Sequence, residues 1–173
     1  MLDTFALPQS LQFNPVLMPI EHEGVRLPAS IGQKIVRDDS NEVLGIVKSK
    51  YIPQPYSALW EPLVEGLQES GLDLDDAEIK WSSMNNGARM FADITLKSYN
   101  YDRIVDEPTA LQMRVRNSVD GSLKYDVSAF IKRLWCSNGQ ARIAENTSVK
   151  FKHTISTEPE KIGQVAATWP TIL

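Results

Sequence analysis

The chain has 173 residues, 42% of them hydrophobic and 23% charged, and its 18 Lys+Arg against 22 Asp+Glu leave a net charge of −4. That is enough for one domain with a real core, short for two, and too acidic overall for a surface that attracts polyanions everywhere. No apolar run reaches the roughly 20 residues that span a bilayer. The opening MLDTFALPQSLQF has an early Asp and no basic segment, so no signal peptide is expected and a cytoplasmic location is. Cys136 is alone, which excludes an internal disulfide, and with only His22 and His153 beside it a Cys/His zinc site is not expected. Neither G-x-x-x-x-G-K-[ST] nor G-x-S-x-G occurs, so no cofactor is expected and enzymatic function has little support.

Residues 1–33 are punctuated by Pro8, Pro15, Pro19 and Pro28 and hold no sustained period. They read as an extended arm draped over the domain or over a neighbour, with a single domain across 34–173. In KIVRDDSNEVLGIVKSKY, Ile35-Val36 and Val43–Val47 are β-like around an Asp-Asp-Ser-Asn turn, which makes a first hairpin. Tyr56, Leu59, Trp60, Leu63, Val64 and Leu67 then fall at i, i+3, i+4, i+7, i+8 and i+11, a helical stripe with Gly71 placed to end it and Trp60 as a core anchor. Pro62 either kinks this helix or stands in the first turn of one that begins near Glu61.

EIKWSSMNNGARMFADITLK reads as a long hairpin whose Asn86-Gly87 pair suits a two-residue type I′ turn. With Asn85 opposite Ala88, Trp81 faces Ala92, Ile79 faces Ile94 and Met90 joins them, while Lys80 pairs with Asp93 and Asp76 with Lys97 on the other face. RVRNSVDGSLKYDV reads as a third hairpin. A three-residue Val119-Asp120-Gly121 loop sets Val115 against Tyr125, Met113 against Val127 and Leu111 against Ala129, with Arg114 opposite Asp126 and Arg116 opposite Lys124 outside. Like charges directly opposite are unfavourable, so that last pair is either well solvated or awaits an anion. Phe130, Ile131, Leu134 and Trp135 are buried candidates in a strand extension or short helix, Asn138-Gly139 punctuates, and Val149/Phe151 alternate with Lys150/Lys152. From Glu158 a helix is expected, with Pro159 in its first turn and Ile162, Val165 and Ala166 on one stripe. The fold class is therefore α+β, an antiparallel sheet of successive hairpins packed on one or two helices.

Three strings resemble the phage- and plasmid-borne proteins of domain-of-unknown-function family 932. RDDSNEVLGIVKSKYIPQP resembles that family's R-x-D … L-G-x-V-x-x-x-Y opening, NSVDGS its central N-S-x-D-G-S, and RLWCSNG followed by VKFKHT its R-x-x-C-x-N-G … F-x-x-R-H-T end. The likeness runs from about Val36 to Thr154, with Lys152 where Arg is the family's residue. The chain stops soon after Trp169, as a shortened relative of longer members does. The helix followed by MNNGARMFADITL and MRVRNSVDGSLKYDV also looks like the core of single-strand annealing proteins of the Rad fifty-two/Redβ/Erf superfamily, over roughly residues 50–135. That second likeness implies homo-oligomeric rings or filaments that hold single-stranded DNA along a basic groove. The long Lys-rich helix that follows the second hairpin in that superfamily is not evident here.

Charge placement agrees with a local basic face. Residues 1–88 hold 6 Lys+Arg against 13 Asp+Glu, whereas residues 89–152 hold 11 against 7. Annealing without sequence choice needs backbone cations and free bases. The candidate donors are Arg114, Arg116 and Lys124 on one sheet face, Lys132 and Arg133 continuing the strand, Arg89 beside the Asn-Gly tip, and Arg142, Lys150 and Lys152 as a second rim. Phe91 is the base-stacking candidate, its alternative being packing under the helix or a neighbouring subunit; Tyr99 and Tyr101 follow. His153 has no nucleophile or carboxylate constellation and reads as structural. Cys136 reads as a small buried apolar residue, and LDLDDAE (Asp73, Asp75, Asp76, Glu78) as a solvated connection that lacks EF-hand spacing. The expected function is non-catalytic single-stranded nucleic-acid binding of phage or plasmid type, promoting strand annealing in recombination, with no membrane partner. The alternative is a phage interaction protein that binds a host or phage protein through its acidic N-terminal half.

Overall fold

The helical stripe forms as its spacing requires. In the computed structural model, which describes residues 3–97, 109–134, 141–151 and 159–172, α1 (Ser57–Glu69) places Leu59, Trp60, Leu63, Val64 and Leu67 in the core, with Tyr56 just ahead of its first turn. Gly71 stands two residues beyond its end at φ +78°, a left-handed conformation that stops the helix. Pro62 lies inside α1 rather than in its first turn, since the helix starts five residues earlier at Ser57.

Five strands form one antiparallel sheet in the order β10-β9-β8-β7-β6, made of β6 (Ala77–Met84), β7 (Arg89–Leu96), β8 (Thr109–Ser118), β9 (Tyr125–Leu134) and β10 (Ala141–Phe151). The β6–β7 hairpin takes the expected register, Trp81 opposite Ala92, Ile79 opposite Ile94 and Lys80 opposite Asp93. Asn86 and Gly87 have φ of +55° and +87°, as a type I′ turn demands, and the Ala88 N–H donates to the Asn85 carbonyl at 2.9 Å. Lys97 bonds Glu78 at 2.8 Å, where Asp76 was the sequence expectation.

The β8–β9 hairpin departs from expectation by two residues. Val115 faces Val127, Met113 faces Ala129 and Leu111 faces Ile131, so Arg116 stands opposite Asp126 and not Lys124. The cause is the Ser118 hydroxyl, which accepts from the Leu123 N–H at 2.9 Å and donates to the Leu123 carbonyl at 3.2 Å, closing a wider loop than a three-residue turn. Because strand side chains alternate with period two, a two-residue slip changes every partner but leaves each side chain on its face.

One face of this sheet is the core face. Met90, Ala92, Ile94, Leu96, Met113, Val115, Tyr125 and Val127 pack there against α1 and against Ile162 and Ala166 of α2 (Pro159–Ile172). The two helices cross at glycines, where a Cβ added to Gly66 would collide with the Gly163 carbonyl oxygen. Polar ends of buried aromatics fasten the layers: Tyr125 donates to the Leu59 carbonyl at 3.2 Å, and Trp60 Nε1 donates to the Phe5 carbonyl at 2.7 Å.

A second sheet, in the order β1-β4-β5, joins β1 (Pro15–Pro19), β4 (Gln33–Arg37) and β5 (Val43–Val47), and β2 (Glu21–His22) and β3 (Val25–Arg26) form a small ribbon. The stretch read as an arm thus contains an edge strand, a position that tolerates Pro15 and Pro19 because an edge has backbone groups with no ladder partner. Phe5, Leu11 and Phe13 of the same stretch are buried in the shared core.

The glycine crossing makes a prediction. Gly66→Val should cost about 3 kcal/mol in urea unfolding, because the helices must separate to admit the side chain. Gly71→Asn, at an open left-handed position, should cost less than about 1 kcal/mol. Equal costs for the two would contradict the crossing.

Candidate nucleic-acid interface

Both central turns are held from behind, which fixes where the outer face of the five-stranded sheet points. The Asn-Gly tip is gripped by Arg37, whose Nη1 donates to the Asn86 carbonyl at 2.8 Å and to the Ser10 carbonyl at 3.2 Å, while its Cζ lies 4.0 Å above the Phe13 ring. Asp39 orients that guanidinium through two bonds of 2.8 and 2.7 Å. Tyr56 donates to the Gly87 carbonyl at 2.7 Å. The Asp-Gly turn docks on β5 and the loop after it. A Cβ on Gly45 would stand 2.9 Å from Asp120 Cβ, one on Gly121 would meet Tyr51 at 3.3 Å and Val47 at 3.4 Å, and Tyr51 donates to the Ser118 carbonyl at 3.2 Å. The two turns are joined by the Val119 N–H donating to the Ala88 carbonyl at 2.9 Å.

Asp120 completes this joint. Its Oδ1 accepts from the Ser122 N–H at 2.8 Å and its Oδ2 from Arg89 Nε at 3.2 Å, with only 9% of the side chain exposed. Burial disfavours its ionisation, but the bonds from Ser122, Ser118 and Arg89 outweigh burial and hold the carboxyl below its usual range. Arg89 is therefore a brace between the two turns as well as a half-exposed cation.

On the outer face, the ladder aligns Ser82, Phe91, Arg116, Asp126 and Lys150 in one row across all five strands. The adjacent row holds Lys80, Asp93, Arg114, Ser128 and Ser148. Arg114 and Arg116 thus lie on one side of the sheet, about 6.8 Å apart along β8, and Lys150 joins them. Each is paired with an acid, Arg114 with Asp93 and the other two with Asp126. Arg114 grips Asp93 through bonds of 2.7 and 3.1 Å, which raises its pKa further, and Arg116 reaches Asp126 at 3.1 Å. Lys150 Nζ lies 3.5 Å from the same Asp126 oxygen. The pairing of Arg116 with an acid replaces the like-charge pair that the shorter loop implied.

Arg116, Lys124, Lys150, Ser122 and Leu123 surround Asp126 in an open depression of about 280 Å³. Asp126 has 6% of its side chain exposed, against 43% for Arg116 and 55% for Lys150, so the acid lies at the floor and the cations at the rim. Ser128 donates to its other oxygen at 2.8 Å. The described lining holds three cations and one acid, so its local charge balance is positive. Phe91 is half-buried on the same face beside Arg116. Towards the Thr109 end the face becomes dry, for Gln112 and Phe130 are buried there. A larger cleft of about 410 Å³ lies between the N-terminal turns and α1, and no cation among the described residues lines it.

Lys132 and Arg133 lie in β9 and Arg142 in β10, in the part of the ladder where Arg142 pairs with Arg133. Lys152, His153, Cys136, Tyr99 and Tyr101 fall outside the described residues. Among the described residues no group of three or more His, Cys, Asp or Glu is arranged to hold a metal ion, and no helix is long and apolar enough to cross a membrane. Sequence reasoning missed Asp126 as the shared floor of the depression. The signal available was the pair of serines in NSVDGS, either of which can close a turn through its side chain.

A family model described as Domain of unknown function (DUF932) matches residues 43–172. The chain belongs to that family. No curated protein and no solved structure matches it. Two of the strings that carry the family resemblance meet in space, since Gly45, Val47 and Tyr51 of the first receive Asp120 and Gly121 of the second.

The joint is testable by pH. A carboxyl whose folded pKa is depressed contributes stability that is present above its unfolded value and lost as pH falls through the folded one. Asp120→Asn should therefore cost about 2 kcal/mol at pH 7, and the gap from the parent should shrink as pH falls below the ordinary value of 3.8. A gap that stays constant from pH 7 to pH 2.5 in chemical unfolding would contradict the assignment.

Proposed function

We propose that this protein binds single-stranded nucleic acid without catalysis, along the outer face of the five-stranded sheet, and promotes strand annealing in recombination of phage or plasmid type. The observation that carries the reading is the convergence of Arg116, Lys124 and Lys150 on one open depression whose described lining holds a single acid. Such a site suits a backbone phosphate. Arg114 and Lys80 extend the cationic face by one row, and Phe91 in the Arg116 row supplies a ring on which a base can stack. The mechanism is positional: cations hold one strand by its phosphates, its bases stay free, and a complementary strand pairs without nucleotide hydrolysis. Annealers of the superfamily that the hairpin order resembles work as homo-oligomers, and the same is proposed here, in the cytoplasm of the host if the chain is phage-encoded.

A second reading has an observation of its own. On the three-stranded sheet, Val16, Met18, Val43 and Ile46 are exposed by 41, 39, 58 and 66% on one face. Exposed apolar residues grouped this way favour protein contact, which supports an interaction protein with a host or phage partner.

A salt titration separates the two. Binding of a labelled oligothymidylate should be tight at low salt and weaken with a log–log slope of about −0.7 per phosphate neutralised. Arg116→Glu with Lys124→Glu should abolish that binding while the circular dichroism spectrum stays unchanged. Phe91→Ala should cost about 1–3 kcal/mol of affinity. Unchanged binding by the folded double variant would remove the site, and no binding by the parent protein at low salt would favour the protein-contact reading.

A further inference from the structure

The floor of the depression opposes its proposed ligand. Asp126 has 6% of its side chain exposed and cannot turn out to solvent without leaving the Ser128 hydroxyl and both cations. Its Oδ2 lies 3.1 Å from Arg116 and 3.5 Å from Lys150, so one oxygen occupies the place between two cations that a phosphate oxygen would take. The register makes this arrangement obligatory, because Arg116, Asp126 and Lys150 are direct neighbours in a single row of the ladder. The neighbouring acid, Asp93, is engaged by Arg114 and does not compete for Arg116.

We infer that Asp126 is a built-in competitor of the phosphodiester backbone, which holds Arg116 and Lys150 in position and keeps the grip on each phosphate weak enough to release. This rests on the nucleic-acid reading of the face and names how affinity there is set. A buried acid beneath two cations has two effects on a bound strand. It preorganises the donors, since both are fixed before a phosphate arrives. It also neutralises part of their charge, so fewer solution ions are displaced when the strand binds. An annealer has use for a weak grip, because each strand must leave the face once it is paired. Asp126 is on this account a positioning residue and does not itself touch the strand.

The test is the effect of removing one negative charge. Asp126→Asn and the smaller Asp126→Ser should each bind oligothymidylate roughly tenfold more tightly than the parent at low salt, with a slope steeper by about 0.7 because one more phosphate is neutralised and its condensed cation released. Asp126→Glu, which keeps the charge, should retain the parent slope. Thermal unfolding identifies which of these variants are folded, and two neutral variants of different size guard against one of them failing. Parent-like affinity and slope in a folded neutral variant, or weaker binding with the slope unchanged, would overturn the inference while leaving the nucleic-acid reading intact. Absence of binding by parent and variants alike would overturn both.

Discussion

The absence of a side chain at Gly45 is the constraint on which the outer face depends. Only a bare Cα leaves room for Asp120 to seat against β5, at a distance where a Cβ would stand 2.9 Å from that of Asp120. With the turn seated there, Arg89 and Ser122 bind the Asp120 carboxylate and Tyr51 binds the Ser118 carbonyl. The Ser118 hydroxyl then sets the width of the loop, and loop width sets the β8–β9 register. Register in turn decides that Arg116 faces an acid and that Lys150 faces the same one. A chain of four local facts therefore runs from one glycine to the electrostatics of a surface well removed from it in sequence.

The same chain of contacts gives physical content to the strings that carry the family resemblance. Gly45, Val47 and Tyr51 form the seat, and Asp120 and Gly121 form what sits in it, with Arg37 and Asp39 securing the other turn. These residues build a joint between two sheets. The cations of the outer face are supplied by other residues of the strands that the joint aligns, so the joint and the proposed binding surface are separate parts of one design. Motifs of this kind identify the fold without naming its ligand.

Much of the architecture was legible because local and tertiary signals agreed. Tyr56, Leu59, Trp60, Leu63, Val64 and Leu67 had the period of a helix and are all buried, and Asn86-Gly87 called for a turn whose register then sorted Trp81 and Ile79 from Lys80 without ambiguity. The β8–β9 loop misled because a side chain closed it. Face separation and backbone rules favoured a three-residue loop with glycine in the left-handed position, and the Ser118 hydroxyl stabilised a longer one. Face assignments survived that error since the slip was even, but the partner of Arg116 did not. β1 was hidden by Pro15 and Pro19, which break alternation yet are tolerated at an edge. For the site, the basic side of the sheet could be read from alternation alone. Depth could not, and it is depth that distinguishes Asp126 on the floor from Lys150 on the rim.

The central claim is that cations gathered on one side of the five-stranded sheet hold the nucleic-acid backbone. Lysine acetylation footprinting by mass spectrometry, with and without saturating oligothymidylate, tests it without altering the protein. Lys124 and Lys150, which line the depression, and Lys80 on the same face should be protected by the bound strand. Lys34 and Lys48, in or beside the three-stranded sheet, should react equally in both states. Protection of Lys34 and Lys48 with Lys124 and Lys150 unchanged would contradict the account.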